Sequence, residues 1–159
     1  KYACRLDGSI DGGQISSKET QIFMHNLRSK LNNLIISGKT ILLDNPTLDS
    51  RFCSLENKNP PNITILTKNS NFPQTAPLFA IPNRKVEICH SIPNFSGFVM
   101  CEGGNNLLES LLPHIDMLLV FVSPTLSTYH LTHHFQAHFK LLHCQMIGNV
   151  IALWLLPQK

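Results

Sequence analysis

Three short, nearly unbroken apolar runs, Leu34-Ile35-Ile36, Ile63-Thr64-Ile65-Leu66 and residues 117–122, most constrain what this chain can fold into. Each is too short for a buried helix and lacks the alternation of a half-solvated strand. The first, which ends in Ser37-Gly38, reads as a strand covered on both faces of a parallel sheet. Before it the period changes: Phe23, Leu27, Leu31 and Leu34 recur at helical spacing. They follow Ser16-Ser17-Lys18-Glu19, a capping-box pattern in which a serine oxygen takes an orphan N–H and the glutamate reaches back. The spacing predicts a helix over 17–32.

The same reading continues along the chain. Lys1-Tyr2-Ala3-Cys4 reads as an opening strand, and 39–43 as one helical turn that Asn45-Pro46 stops. Strands are expected at 62–66, 86–88, 98–100 and 117–122, the last able to serve either the core or a partner. A Pro- and Asn-rich loop spans 69–83, with a short turn near Leu78-Phe79. Gly103-Gly104 leads into a helix over 105–112 that Pro113 ends. Strands over 139–146 and 150–156 flank Ile147-Gly148-Asn149, a hairpin turn signal. The pattern predicts an α/β fold, a mostly parallel, helix-covered sheet with a C-terminal antiparallel hairpin.

At 159 residues the chain is long enough for one domain with a real core. Charged residues make up only 14% and the net charge is +3, with Lys and Arg scattered. That argues against a nucleic-acid groove and suits a few small anionic groups. No apolar run approaches the ~20 residues of a membrane span. No signal peptide follows Lys1-Tyr2-Ala3-Cys4-Arg5. The five cysteines include no Cys-x-x-Cys pair, so neither a disulfide framework nor a zinc knuckle is expected. They read mostly as small buried hydrophobes of a reducing compartment, with the cytoplasm as the expected location. A strand pattern that starts at Lys1 suggests a domain cut from a longer polypeptide.

A few residues could carry chemistry. Arg28 lies one position beyond the apolar stripe of the first helix, and Arg51 follows a proline turn. A guanidinium fork suits phosphate, although either residue could equally sit on the surface. Thr40, Asp44 and Leu48 are spaced four apart, and Asp44 reads also as a turn-capping residue. Glu102 ends a strand just before two glycines, where ligands of open α/β sheets collect. Gly103-Gly104 could bring backbone N–H groups to a pyrophosphate at a helix start, or could be an ordinary strand-to-helix turn. His130, His133, His134, His138 and His143 cluster, but no Asp or Glu stands among them, so no metal site is assigned. A nucleophile elbow, a Walker loop and a complete Gly-x-Gly-x-x-Gly are all absent.

Taken in order, Leu6-Asp7-Gly8, Ile15-Ser16-Ser17, Leu27-Arg28, Gly38-x-Thr40, Asp44-Asn45-Pro46-x-Leu48-x-x-Arg51, Glu102-Gly103-Gly104 and Asp116 resemble a known family. It is the C-terminal reductase domain of the bifunctional riboflavin-biosynthesis deaminase/reductase. The resemblance covers the first third of the chain and residues 99 to about 126, and Ile147-Gly148-Asn149-Val150 resembles the family's closing hairpin. It implies a dihydrofolate-reductase-like fold and NADPH as cofactor. The implied reaction reduces 5-amino-6-(5-phosphoribosylamino)uracil to its ribityl counterpart. Residues 1–159 would form a single reductase domain, a homodimer fused to or partnered with a zinc deaminase domain.

On matching positions, the resemblance makes Arg28 and Arg51 ligands of the substrate phosphate. Glu102 becomes a substrate-binding and catalytic carboxylate, and Lys1 an aid to the chemistry by hydrogen bonding or proton delivery. Ala3, Thr40, Asp44 and Leu48 become cofactor contacts, and the turn from Gly104 through Asn105, Asn106 and Leu107 to Ser110 would hold the pyrophosphate. The chain departs from the family in several places. Gln14 stands where a tryptophan is usual, and Lys68-Asn69 replaces Asp-Ser, leaving Lys68 able to neutralise a cofactor phosphate. Residues 91–97 are too few for the usual helical crossover. The deaminase signature, His-x-Glu with Pro-Cys-x-x-Cys, is missing, so this chain does not deaminate. A non-catalytic dimerisation module, or a reductase of another pterin or pyrimidine, are the other readings.

Overall fold

The computed structural model describes residues 1–10, 15–56, 59–69, 71–127 and 136–158. The chain divides into two compact units, residues 22–103 and residues 1–21 with 104–159.

The unit of residues 22–103 holds a four-stranded sheet built from the apolar runs. Its strands are β2 (Asn33–Ser37), β3 (Asn62–Leu66), β4 (Val86–Cys89) and β5 (Val99–Glu102), in the order β4-β3-β2-β5. All neighbours are parallel. Leu34, Ile36, Ile63 and Ile65 are at most 2% exposed, as expected of strands covered on both faces. Each such side chain contributes about 1.5–3 kcal/mol of burial. The register sets Ser37 beside Leu66, Leu66 beside Cys89, and Ile36 beside Glu102. The carboxyl ends of all four strands therefore share one sheet edge.

Helix α1 (Lys18–Arg28) starts in one unit and ends in the other; it stops four residues short of the expected end. Its start is capped by Ser17, whose Oγ accepts from the Thr20 N–H, while the Glu19 carboxyl is held below its ordinary range mainly by hydrogen bonds to its own backbone N–H and to Ser17. Helix α2 (Gly38–Asp44) follows β2 directly. Ser37 caps it through Thr40, and Asn45 ends it in the left-handed region at φ 45°. Leu48 is also left-handed, at φ 54°, with its side chain buried. The expected turn near Leu78 is a 3-10 helix, Pro77–Ala80. Residues 90–98 contain no helix, so β4 reaches β5 across two intervening strands by an irregular connection.

The other unit pairs β1 (Tyr2–Arg5) with β6 (Leu118–Ser123) in parallel. It then adds β8 (Val150–Pro157) and β7 (Phe139–Ile147) antiparallel, in the order β1-β6-β8-β7. Tyr2, Cys4, Leu118 and Val120 form its core, with Val122 packed against it, so the 117–122 run serves the core from Leu118 onward, while Met117 is exposed. Gly148, at φ 62°, takes the first position of the two-residue hairpin turn. Helix α3 (Asn105–Leu111) starts at Gly104, and a 3-10 turn, Leu112–His114, ends it at Pro113. Only Cys4 and Cys53 are buried; Cys89 and Cys101 are half-buried and Cys144 is exposed, which corrects the expectation of mostly buried thiols. Among the described residues, no helix is long and apolar enough to cross a membrane.

Candidate functional site

Glu102 ends β5, and Arg28 occupies the last turn of α1. Seventy-four positions apart in the chain, they meet in a two-pronged ion pair. Arg28 Nε donates to Glu102 Oε1 at 2.8 Å and its Nη2 donates to Oε2 at 2.7 Å. Both side chains are nearly buried, at 14% and 13% exposure. Burial alone would push the Arg28 pKa down, but the charge and hydrogen bonds of Glu102, helped by Asp49, raise it above its ordinary value. Cys101, beside Glu102, has its thiol pushed up to about 12, chiefly by burial, which leaves it unreactive.

The segment after α2 adds a second pair. Arg51 Nη1 donates to Asp49 Oδ2 at 3.1 Å, and the half-exposed guanidinium lies 5.1 Å over the Phe52 ring. Between the pairs sits His25, one turn before Arg28 and buried. Its ring meets Phe52 edge-on at 4.9 Å, and its Nδ1 accepts the Phe52 N–H at 3.5 Å and lies 3.9 Å from Asp49 Oδ1. Burial, with the charge of Arg28, lowers the His25 pKa; Asp49, Arg51 and Glu102 also bear on it. The four charges of both pairs thus all act on one ring.

Arg84 completes the cluster. Its Nη1 donates to the Thr47 carbonyl at 2.8 Å and its Nη2 to the Leu48 carbonyl. Its buried Nε has no partner among the described residues. Burial lowers its pKa to about 10, so it stays charged at neutral pH. Arg28, Arg51 and Arg84 against Asp49 and Glu102 leave the cluster cationic, as anion binding requires.

Sequence reasoning had picked out Arg28, Arg51 and Glu102, and the structure brings them into one cluster. It missed His25, Asp49 and Arg84. His25 was discoverable from its spacing of three before Arg28 on one helix face. Arg84 gave no signal, because its partners are backbone carbonyls 36 and 37 positions away.

The expected cofactor contacts are placed as follows. Thr40 sits in the first turn of α2 with its hydroxyl 2.8 Å from that of Ser37, and Asp44 is exposed. Leu48 is buried and its carbonyl is taken by Arg84, so the structure leaves it little to offer a ligand. Thr67 and exposed Lys68 follow β3 on the shared sheet edge, with His90 Nδ1 2.8 Å from the Thr67 carbonyl. Hydroxyls and an exposed ammonium group on the carboxyl edge of a parallel sheet fit a phosphate-bearing dinucleotide.

Lys1, Ala3 and Gly104 to Leu107 belong to the other unit. There Lys1 Nζ lies 5.7 Å over the Phe121 ring, and the Tyr2 hydroxyl donates to Asn105 Oδ1 at 2.6 Å. Helix α3 has only seven residues and no side-chain cap, so its dipole is short. Gln14, His130, His133 and His134 lie outside the described residues. His138 and His143 are exposed, and no group of metal-ligating side chains occurs among the described residues.

No protein-family model matches the chain, and no curated protein does. Solved structures do. The diaminohydroxyphosphoribosylaminopyrimidine deaminase/5-amino-6-(5-phosphoribosylamino)uracil reductase of Thermotoga maritima is similar over 99% of this chain, at TM-score 0.79 and 20% identity. This chain spans only 55% of that protein. The riboflavin biosynthesis reductase Rib7 of Saccharomyces cerevisiae is similar over 99% of this chain and 87% of its own length, at TM-score 0.70 and 18% identity. A dihydrofolate reductase of Enterococcus faecalis, complexed with NADP(H), is similar over 99% and 94%, at TM-score 0.63 and 14% identity. The fold is therefore the dihydrofolate-reductase-like one expected from the sequence.

Proposed function

We propose that this chain is an NADPH-dependent reductase that converts 5-amino-6-(5-phosphoribosylamino)uracil to 5-amino-6-(5-phosphoribitylamino)uracil. One observation carries the reading: in this fold, the Arg28–Glu102 fork and Arg51 gather into a cationic cluster within one unit. Such a cluster offers a phosphate two guanidinium groups and offers the rest of the substrate a fixed carboxylate.

The division of labour follows from the donors. Arg28 spends Nε and one Nη2 proton on Glu102, and among the described residues its remaining donors are left for an anion. Arg51 is half-exposed, tethered to Asp49 through Nη1 and resting over Phe52, so it can close on the same anion. Glu102, held by Arg28, cannot rotate, and it receives substrate N–H or O–H groups in one orientation. Such fixation before binding is where a protein gains rate when the hydride comes from a cofactor. NADPH, when bound, supplies that hydride. Thr40 and Lys68 are the residues of the 22–103 unit that would hold its polar parts, and Lys68 would neutralise a phosphate. Lys1 would assist by hydrogen bonding or proton delivery.

The test is anaerobic NADPH oxidation with the deaminated uracil intermediate, followed by absorbance, with the ribityl product identified by mass spectrometry. Folded protein that binds the nucleotide but forms no ribityl product would refute the assignment. The helix-free connection at 90–98 favours a second reading, a non-catalytic pairing module. Calorimetry separates the two, since the module would bind no NADPH.

A further inference from the structure

Arg84 differs from the other guanidinium groups of the cluster in what it holds. Its partners are neutral carbonyl oxygens, those of Thr47 and Leu48, gripped by both terminal nitrogens of one planar fork. Those carbonyls belong to a backbone in an uncommon conformation. Asn45 and Leu48 are both left-handed, at φ 45° and 54°, with Pro46 between them. Leucine rarely takes that conformation. Three residues beyond the second gripped carbonyl, and two beyond its ion-pair partner Asp49, comes Arg51, which the reading above makes a phosphate ligand.

The base of Arg84 is itself tied to the sheet. Asn83 precedes it in the left-handed region at φ 59°. The next residue, Lys85, donates its N–H to Asn62 Oδ1 at 3.0 Å and accepts from the Ile63 N–H at 2.9 Å. Asn62 and Ile63 open β3, so the arginine stem starts from the sheet. A rigid strand, through one side chain, thus reaches a turn that the sequence places far away.

We propose that Arg84 is a positioning residue, whose fork on the Thr47 and Leu48 carbonyls fixes the 47–51 turn so that Arg51 meets a phosphorylated sugar in one orientation. The proposal rests on the assignment of Arg51 to phosphate. Arg84 itself is half-buried, and its Nη groups are committed to the turn, so it acts through Arg51 rather than on the anion. Lysine keeps the charge at this position but cannot span two carbonyls with a planar fork. The fork and the charge can therefore be tested apart.

The experiment measures ribose 5-phosphate affinity by phosphorus NMR on the full chain in four forms: unaltered, Arg84→Lys, Arg51→Ala and the double variant. Unphosphorylated ribose is the control. Arg84→Lys is expected to weaken ribose 5-phosphate about ten-fold, and to have no further effect once Arg51 is alanine. A merely structural role would lower the melting temperature without that dependence on Arg51. Affinity unchanged in Arg84→Lys would overturn the proposal, and so would an equal loss with and without Arg51. If Arg51→Ala alone leaves binding intact, the phosphate assignment falls and the positioning role falls with it. A loss in Arg51→Ala but none in Arg84→Lys removes the positioning role alone. Should Arg84→Lys be unfolded by circular dichroism, Arg84→Gln, whose planar amide still reaches one carbonyl, takes its place in the cycle.

Discussion

Glu102 and Arg28 satisfy each other through two short bonds in a nearly dry setting, so neither can be altered without stranding the other. Glu102→Gln removes the counter-charge and one acceptor while keeping the shape. It should cost about 2–3 kcal/mol, less than a fully buried pair broken outright, and urea unfolding would read the loss directly. In the proposed reaction the same change abolishes the fixed carboxylate, and turnover should fall further than stability. Nearby His25 sets a pH dependence of opposite chemistry. Its pKa is lower folded than its ordinary 6.5, mainly through burial. The unfolded chain therefore takes up the proton first, and stability is full above 6.5 and declines as pH falls through the folded value. Denaturation midpoints measured from pH 8 to pH 5 should show that decline, and His25→Gln should flatten it. A profile equally steep in the variant would assign the decline to other groups.

Among the elements, those read from side-chain period alone were legible. Strand β3 has the bounds that its apolar run announced, and β2, β6 and the hairpin strands differ from expectation by a residue or so. What the period could not give was the path between elements. The residues from Asn45 to Arg51 read as a proline turn, yet two of their carbonyls are held by Arg84, whose position just after the Pro- and Asn-rich stretch carries no pattern. The candidate site was legible to the same degree: Glu102 stood out because it closes an apolar strand ahead of two glycines, while Asp49 and His25 matter only through what folds against them. Two turns make this testable. Asn45 ends α2 in the left-handed region, where a side chain without local polar groups costs about 1 kcal/mol. Asn45→Ala should lose that amount and Asn45→Gly should not, as read by urea midpoints. At the hairpin, a Cβ on Gly148 would lie 2.9 Å from Glu19 Oε2, the movable end of a long side chain, so the backbone at φ 62° is the main cost. Gly148→Ala should lose about 1–2 kcal/mol, and Glu19→Ala should recover little of it.

For the molecule as a whole, the strand most in need of explanation is β7. It has nine residues, stands at the end of the order β1-β6-β8-β7, and pairs along one side with β8. Residues 140–146 are all exposed, including Leu141 at 55%, Leu142 at 57% and Met146 at 58%. A long outer strand with apolar side chains is a template for joining another strand, and proteins that keep such edges alone blunt them. Here the blunting amounts to Lys140 and one irregularity between Leu141 and His143. The expected homodimer would cover this edge: two copies meeting about a twofold axis would pair β7 with β7 and bury the leucines and methionine of both. Sedimentation at micromolar concentration should then give a mass near twice 17.9 kDa. Leu142→Lys with Met146→Lys should return it to one copy while leaving the near-ultraviolet dichroism of each copy intact, because both side chains are already solvated in the single chain. A dimer that survives both lysines would place the contact elsewhere. A single copy at every concentration would leave the edge to a different strand, and the proposed fused or partnered deaminase domain would be the first candidate to supply it.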